Sequence, residues 1–370
     1  MLKKYPVVIN EMEIARGNCC FNKKENIIYI IVNGTNVLFS YDLYLRRWNV
    51  LNILPSQYLN WNNGNAPKLF IKGMSLLIIS ELARGVLIYD LETNTYEEFK
   101  WKLDIENRDI QAGVAIIYED NYIILPFNGD VIVKCNCALK SVAAYSEWKQ
   151  ELLRLLENKK LTFLNVRRRV CVVFGQVFGI VRCKEKDIIF SICLETMRLN
   201  GIYEITPKGI LWDVQNIEGR IWIQIINDEK KSLLSIWNPI TNRIERKIDI
   251  SRYGVFRTKI IAGKDKVYVY PMQLGKILMI TNDIIEVCNL KDKIFAPNIF
   301  CDKSTIIAFD KKNKKIEMLD MDTAFVTSFT CQAGEFLMGI KSILGIEKGN
   351  KVTLGKNKIG KLIFNNCKKE

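Results

Sequence analysis

The stretch Ile88–Phe99, "IYDLETNTYEEF", predicts a β-strand, a short polar turn and a second β-strand. Asp90 stands where the first strand should end, and an Asp side chain there can accept hydrogen bonds from the backbone amides of the turn. Weaker copies of this layout recur along the chain. The recurrence is the strongest structural signal in the sequence, and it decides the fold class.

The copies align on the residue that takes the place of Tyr89, which we call the anchor. Anchors fall near residues 41, 89, 133, 192, 237, 280 and 319, and four short strands are predicted around each of them. Successive anchors are 39 to 48 residues apart, except for the 59 residues between 133 and 192, which contain the predicted helix. A period in the forties with four strands per unit is typical of a β-propeller. We therefore predict an all-β chain, a β-propeller of seven or eight four-stranded blades with one short helical insertion.

The chain ends decide between seven and eight blades. Residues 331–370 contain the strand-like segment "KLIFNN" but no clear anchor, and residues 5–10, "YPVVIN", offer one further strand. Pairing of the two ends would close the ring and hide a strand edge. Residues 1–370 are then one propeller domain, with an eighth blade shared between the ends. The alternative is seven blades with a C-terminal appendage.

The helical insertion is predicted at residues 145–158, "YSEWKQELLRLLEN". Trp148, Leu152 and Leu156 recur there at helical spacing and interrupt the rhythm of the strands. If these side chains are exposed, they form a ridge that can dock a protein partner. If they pack against the propeller, the helix is a structural patch.

Composition limits the possible chemistry. The 370 residues include no histidine, which excludes Ser-His-Asp and Cys-His catalysis within the chain and zinc sites of the His-rich type. No glycine-rich phosphate loop and no Cys-x-x-Cys pair occurs among the 11 cysteines. We therefore expect no cofactor, no metal and no catalytic residue, and we lean against an enzyme.

Charge and cysteine content bear on partners and location. The formal net charge is +14, which favours anionic partners, although lysines also protect exposed strand edges. The longest largely apolar run, Val170–Val181, is too short to span a membrane. An odd number of cysteines without a disulfide framework indicates reduced thiols and a cytoplasmic protein.

Several residues are candidates for ligand binding. Each of four arginines lies at or just before the predicted start of a first strand, and first strands line the channel of a propeller. Arginines that converge at one channel mouth can bind a carboxylate or phosphate through two parallel hydrogen bonds. Trp61, in a polar loop, can stack on a sugar, peptide or base. The four arginines are Arg16, Arg108, Arg168 and Arg257.

The segments "YDLYLRRW" at residues 41–48 and "YDLETNTY" at residues 89–96 resemble the Tyr-Asp-x-x-Thr-x-x-Trp half of Kelch-type repeats, the galactose-oxidase-like propeller group. The paired glycines that end the second strand of a Kelch repeat are absent from this chain. The resemblance implies a disc with a central channel, whose face loops bind a partner or ligand.

Three functions remain compatible with the sequence. The first is a noncatalytic scaffold that docks a protein or another anionic partner through face loops or the inserted helix. The second is an enzyme that acts on a sugar or small anionic substrate with Asp, Glu and Arg from several blades. The third is nucleic-acid binding through a basic surface. The repeated polar residues Asp42, Asp90, Asn238 and Asp320 are assigned to the turns and not to the site.

Overall fold

The computed structural model describes residues 18 to 330 with gaps, and all structural statements below concern the described residues. Side chains are described for most of these residues up to 288, and beyond that only for Asp320. The gaps are residues 23, 32–35, 46, 59–66, 80–84, 101–111, 127–129, 137–140, 157–164, 183–186, 255–257, 264, 272–275, 283, 290–298, 302–304, 311–314 and 321–325.

The described residues form seven antiparallel sheets, each built from four strands that are consecutive in the chain. The first three sheets agree with the strands expected around anchors 41, 89 and 133. Sheet 1 consists of β1 (Asn18–Asn22), β2 (Ile27–Ile31), β3 (Val37–Asp42) and β4 (Arg47–Ile53). Sheet 2 consists of β5 (Lys68–Lys72), β6 (Ser75–Ile79), β7 (Gly85–Asp90) and β8 (Thr95–Lys100). Sheet 3 consists of β9 (Ala112–Tyr118), β10 (Asn121–Pro126), β11 (Ile132–Asn136) and β12 (Ser141–Tyr145).

One α-helix, α1 (Glu147–Leu155), follows sheet 3, and four more sheets follow the helix. Sheet 4 consists of β13 (Asn165–Val173), β14 (Gln176–Arg182), β15 (Asp187–Cys193) and β16 (Leu199–Tyr203). Sheet 5 consists of β17 (Gly209–Ile217), β18 (Arg220–Asn227), β19 (Ser232–Asn238) and β20 (Arg243–Asp249). Sheet 6 consists of β21 (Thr258–Ala262), β22 (Val267–Pro271), β23 (Lys276–Thr281) and β24 (Ile284–Asn289). Sheet 7 consists of β25 (Ile299–Cys301), β26 (Thr305–Asp310), β27 (Lys315–Asp320) and β28 (Val326–Thr330).

The chain divides into two compact units. Unit 1 contains sheets 1, 2 and 7, and unit 2 contains sheets 3 to 6. In unit 2 the first strands of successive sheets lie beside one another, and in unit 1 the first strand of sheet 1 contacts the first strands of both sheets 2 and 7. The residues expected to supply an eighth sheet, 5–10 and 331–370, lie outside the described part. Closure of a single ring by the chain ends therefore stays a prediction.

The core of unit 2 lies between the faces of successive sheets. Second and third strands are apolar on both faces because each blade is covered on two sides, as in "RIWIQIIN" of β18. Separate apolar clusters fill the spaces between sheets 3 and 4, sheets 4 and 5, and sheets 5 and 6. Full burial of one Ile or Leu side chain stabilises by about 1.5–3 kcal/mol, so these clusters are the main source of cohesion between neighbouring sheets.

The repeated turn has the structural role that the sequence predicts. One side-chain oxygen of Asp42, of Asp90 and of Asn238 accepts hydrogen bonds from the two backbone amides that lie two and three residues later. These bonds satisfy the turn backbone and explain why Asp or Asn recurs at that position. The prediction that these three residues belong to the scaffold is confirmed. The turn after Asp320 lies outside the described residues.

The anchors and turns are linked by a second repeated contact. The Tyr89 hydroxyl donates to Asn94 Oδ1 at 3.1 Å, and the Trp237 indole N–H donates to Asn242 Oδ1 at 3.2 Å. Both asparagines have a positive φ, a conformation that Asn tolerates better than most residues. The anchor therefore packs in the core and also holds the turn at its end.

Polar side chains connect neighbouring sheets across the apolar faces. Asp187 of sheet 4 accepts a hydrogen bond from the backbone amide of Leu211 in sheet 5 (2.8 Å). Asp213 of sheet 5 accepts from the amide of Ile260 in sheet 6 (2.6 Å). Both carboxylates are buried, so their bonds fix the register of one sheet against the next.

The helix α1 lies against sheets 3 and 4, which corresponds to the second of the two alternatives that the sequence left open, the structural patch. Trp148, Leu152 and Leu156 are fully buried in the cluster between these sheets, because the spacing that aligns them turns them toward the apolar sheet faces. The Trp148 indole N–H donates to the carbonyl oxygen of Asp130 at 2.8 Å. The Glu151 carboxylate accepts from the backbone amide of Leu199 on β16 at 3.0 Å. The helix is a structural patch that covers the outer edge of sheet 4.

No helix in the described ranges has the length and the apolar composition needed to cross a membrane.

Candidate functional site

The strongest candidate site in the described residues is an open groove in unit 2, which we call the β20 groove. Its volume is about 560 Å³, within the size range of ligand pockets. One wall is the segment that follows β16, and the other is the turn before β20 together with β20 itself. The lining residues are Glu204, Ile205, Thr206, Trp237, Asn242, Arg243, Ile244, Glu245, Arg246 and Lys247.

Trp237 lines the floor of the groove and belongs to an aromatic cluster behind it. The Trp237 ring lies 4.8 Å from the Tyr203 ring and 5.8 Å from the Phe178 ring, measured between centroids. Phe178 and Tyr203 belong to sheet 4 and Trp237 belongs to sheet 5. Because these rings pack across the two sheets, they hold the walls of the groove at a defined separation.

Two charged side chains of the groove are already engaged. The Glu245 carboxylate accepts from Arg220 Nε and from Asn238 Nδ2, both at 2.7 Å. These bonds, with the Arg220 guanidinium first, lower the pKa of Glu245 and keep it anionic near neutral pH. Arg246 Nη2 donates to the carbonyl oxygen of Asn282 in sheet 6 at 2.6 Å. Glu245 and Arg246 therefore serve the scaffold.

Two other cations of the groove are free. Arg243 and Lys247 are exposed, and neither makes a hydrogen bond or ion pair within the part of the chain that the structure describes. They are four residues apart on the outermost strand of sheet 5. Two exposed positive charges therefore lie on the rim of the groove.

The groove follows the edge of β20 and not one face of it. Ile244 lies opposite Trp237, and Arg243 lies opposite Asn238, so the two residues point to opposite faces of the sheet. The residues 242–247 nevertheless all line the groove. The groove therefore includes residues from both faces of β20, together with Trp237 of β19 and residues 204–206 after β16.

One carboxylate of the groove is held in its ionised form by its neighbours. Among the described residues there is no cluster of three Cys, Asp or Glu side chains that could hold a metal ion. Glu245 is held in its anionic form, and an acid that stays ionised cannot donate a proton near neutral pH. The described groove is suited to binding.

The arginine and tryptophan candidates from the sequence cannot be placed beside this groove. Arg16, Trp61, Arg108 and Arg257 lie outside the described residues, and so does the side chain of Arg168 in β13. Their role in ligand binding stays a prediction. Sequence reasoning missed the β20 groove, although "RIERKID" at residues 243–249 carries a signal, since an outer strand that alternates charged and apolar residues has a solvated face.

One position of the repeated turn carries a cysteine. Cys193 occupies in sheet 4 the place that Asp90 occupies in sheet 2, at the end of the third strand. The pKa of the Cys193 thiol is lowered, and the largest cause is a hydrogen bond from the backbone N–H of Thr196. Hydrogen bonds from the turn amides lower the pKa of Asp90 in the same way. The amides of the turn therefore stabilise a negative charge at this position, either the carboxylate of Asp90 or the thiolate of Cys193.

Comparison with known proteins identifies the fold. No protein-family model matches the sequence, and no curated protein matches it. A streptogramin B lyase structure shares 14% sequence identity with a TM-score of 0.56, and the match covers 88% of this chain and 96% of that one. BamB from Moraxella catarrhalis shares 10% identity with a TM-score of 0.50 and coverage of 85% and 84%. A chain of the mitotic checkpoint complex shares 7% identity with a TM-score of 0.51 and coverage of 88% and 90%.

The chain has a β-propeller fold. At these identities the similarity shows the fold alone. Membership of the Kelch type, expected from residues 41–48 and 89–96, stays a prediction, since none of the matches tests it. The matched propellers include a lyase and a member of a protein complex, so the fold does not choose between catalysis and binding.

Proposed function

We propose that this chain is a noncatalytic binding propeller that docks a protein partner along the β20 groove. The observation that carries the proposal is the pair of cations Arg243 and Lys247, which have no side-chain partner among the described residues and lie beside an open groove. Charge complementarity gives an interface much of its specificity, and these two cations provide one half of it.

The fold is consistent with this role. Propellers hold their loops and outer strands on a rigid frame, and the inter-sheet bonds of Asp187 and Asp213 make unit 2 such a frame. One structural neighbour is part of the mitotic checkpoint complex, which shows that this fold takes part in protein assemblies. A cytoplasmic location, expected from the cysteine content, is part of the proposal.

The two alternatives receive less support. An enzyme that acts on a sugar or small anion needs two available carboxylates, whereas Glu245 is engaged by Arg220 and Asn238. Nucleic-acid binding needs a contiguous basic face. On β20 the cations alternate with Glu245 and Asp249, so this strand does not provide one.

The test is quantitative capture of partners from the native cell. Wild type is compared with the double variant Arg243→Glu/Lys247→Glu and with a control of equal charge change, Lys230→Glu/Lys276→Glu. Lys230 and Lys276 are exposed and have no ion pair within the described residues. We expect a specific partner whose recovery falls by about tenfold or more in the groove variant and is unchanged in the control. Equal recovery with all three proteins would refute the proposal.

A further inference from the structure

The outer strands of sheets 4 and 5 differ in whether another element lies beside them. The edge of β16 is covered by α1, whose Glu151 carboxylate binds the β16 backbone amide of Leu199. β20 ends its sheet, and no further strand pairs with it among the described residues. An uncovered edge presents N–H and C=O groups that can pair with another chain.

β20 is long enough to receive such a chain, and a bulge at Glu245 interrupts its pairing with β19. It has seven residues and no proline, so its edge is about 23 Å long. In an antiparallel pair only alternate residues direct their backbone groups to the neighbouring strand. The remaining residues of β20 therefore direct their N–H and C=O groups away from β19, toward the groove.

The side chains of β20 select which chain can pair with it. Charged residues on an edge strand normally prevent association, and "RIERKID" has this character. The Glu245 carboxylate is paired with Arg220, and Arg246 donates to a backbone carbonyl oxygen. The side chains of Arg243 and Lys247 have no ion pair within the described part of unit 2. A basic or neutral strand would remove water from these two cations without offering them a negative charge, which costs free energy. An acidic strand would form ion pairs with them.

We infer that the β20 groove binds an acidic, extended segment of a partner protein, which adds to sheet 5 as a fifth strand beside β20. This inference rests on the proposed function and specifies the partner. Arg243 and Lys247 lie opposite Asn238 and Ser235, which are three residues apart on β19 and so face opposite sides of the sheet. The incoming strand therefore carries an acidic residue on each of its faces. Apolar side chains between them contact Ile244.

The experiment uses a fluorescein-labelled peptide with the sequence Ser-Glu-Val-Thr-Glu-Val-Ser, in which the glutamates are three residues apart. A second peptide replaces both glutamates with lysine, and a third replaces both valines with proline, which removes two backbone donors. Binding to full-length protein is measured by fluorescence anisotropy up to a concentration of about 5 mM. Hydrogen exchange of the backbone amides is measured with and without the first peptide.

We expect the acidic peptide to bind and the lysine peptide not to bind. The proline peptide and the Arg243→Glu/Lys247→Glu variant should each weaken binding by about tenfold or more, with Lys230→Glu/Lys276→Glu as the unchanged control. Exchange should slow at the amides of β20, because strand pairing protects amides and charge attraction alone does not. Equal binding of the acidic and proline peptides, unprotected β20 amides or no binding at all would overturn the inference.

The results separate this inference from the function on which it rests. If partner capture depends on Arg243 and Lys247 but the acidic peptide does not bind, the groove docks a protein in another way and only the fifth strand is refuted. If capture does not depend on these residues, the proposed function is refuted whatever the peptide does.

Discussion

Replacement of Trp148 by Ala tests whether α1 is a structural element or a docking element. The Trp148 side chain is fully buried between sheets 3 and 4, its ring centroid lies 5.9 Å from that of Phe190, and its indole N–H donates to Asp130. The substitution removes a large apolar surface and a hydrogen bond and leaves a cavity. A surface docking residue would have none of these contacts.

The magnitude follows from these contacts. Burial of about 150–250 Å² at about 25 cal/mol per Å² corresponds to roughly 4–6 kcal/mol as an upper estimate. Partial collapse of the cavity reduces this figure, and measured Trp→Ala substitutions in cores cost about 3–5 kcal/mol. We therefore expect Trp148→Ala to lower the free energy of unfolding by about 4 kcal/mol.

The assay is urea unfolding followed by far-UV circular dichroism. Leu155→Ala is the matched control, because Leu155 is on the same helix but is 47% exposed, and we expect it to change stability by no more than about 0.5 kcal/mol. The reasoning would be refuted if the two variants had the same stability. It would also be refuted if Trp148→Ala kept wild-type stability and lost partner capture.

Three further predictions concern single side chains. Cys193 should be alkylated by iodoacetamide in the folded protein, and its reaction rate should level off at a lower pH than that of a free thiol, because its pKa is lowered. Cys171, whose pKa is raised by burial, should react only after unfolding. Mass spectrometry of the labelled peptides distinguishes the two cysteines. Burial raises the pKa of Asp187 above its usual 3.8, so the folded chain binds more protons there than the unfolded chain does. The free energy of unfolding should therefore fall as the pH rises from 3.8 through that raised pKa, and Asp187→Asn should flatten this slope in urea titrations. Gly85→Ala should lower the melting temperature, with a cost of about 1–3 kcal/mol, because the new Cβ would clash with the Phe99 carbonyl oxygen on β8. An unchanged melting temperature would contradict the close approach of β7 and β8 at this point.

The repeat was predictable from sequence because it depends on local chemistry. An Asp or Asn that accepts turn amides needs only its own neighbours, and so Asp42, Asp90 and Asn238 reveal their role without tertiary information. The apolar composition of the strands beside each turn predicts that these strands are buried. The four-stranded sheets of the described residues follow from these two signals.

The helix shows where local reasoning stops. The sequence predicted its position and the face that carries Trp148, Leu152 and Leu156. An apolar helix face has the same pattern whether it contacts its own protein or another one. Only the sheets that α1 contacts decided that these side chains are buried.

The β20 groove could not have been predicted in the same way. Its walls, residues 204–206 and 242–247, are separated in the chain and meet because the Tyr203 and Trp237 rings pack across two sheets. Whether an arginine side chain has a partner also depends on residues far away in the chain. Arg220 and Arg246 have such partners, and Arg243 has none among the described residues. The sequence by itself determined the repeat, its turns and its strands, because hydrogen bonding and burial there act over a few residues. The tertiary structure decided which faces and edges remain open, because that depends on contacts between residues far apart in the chain.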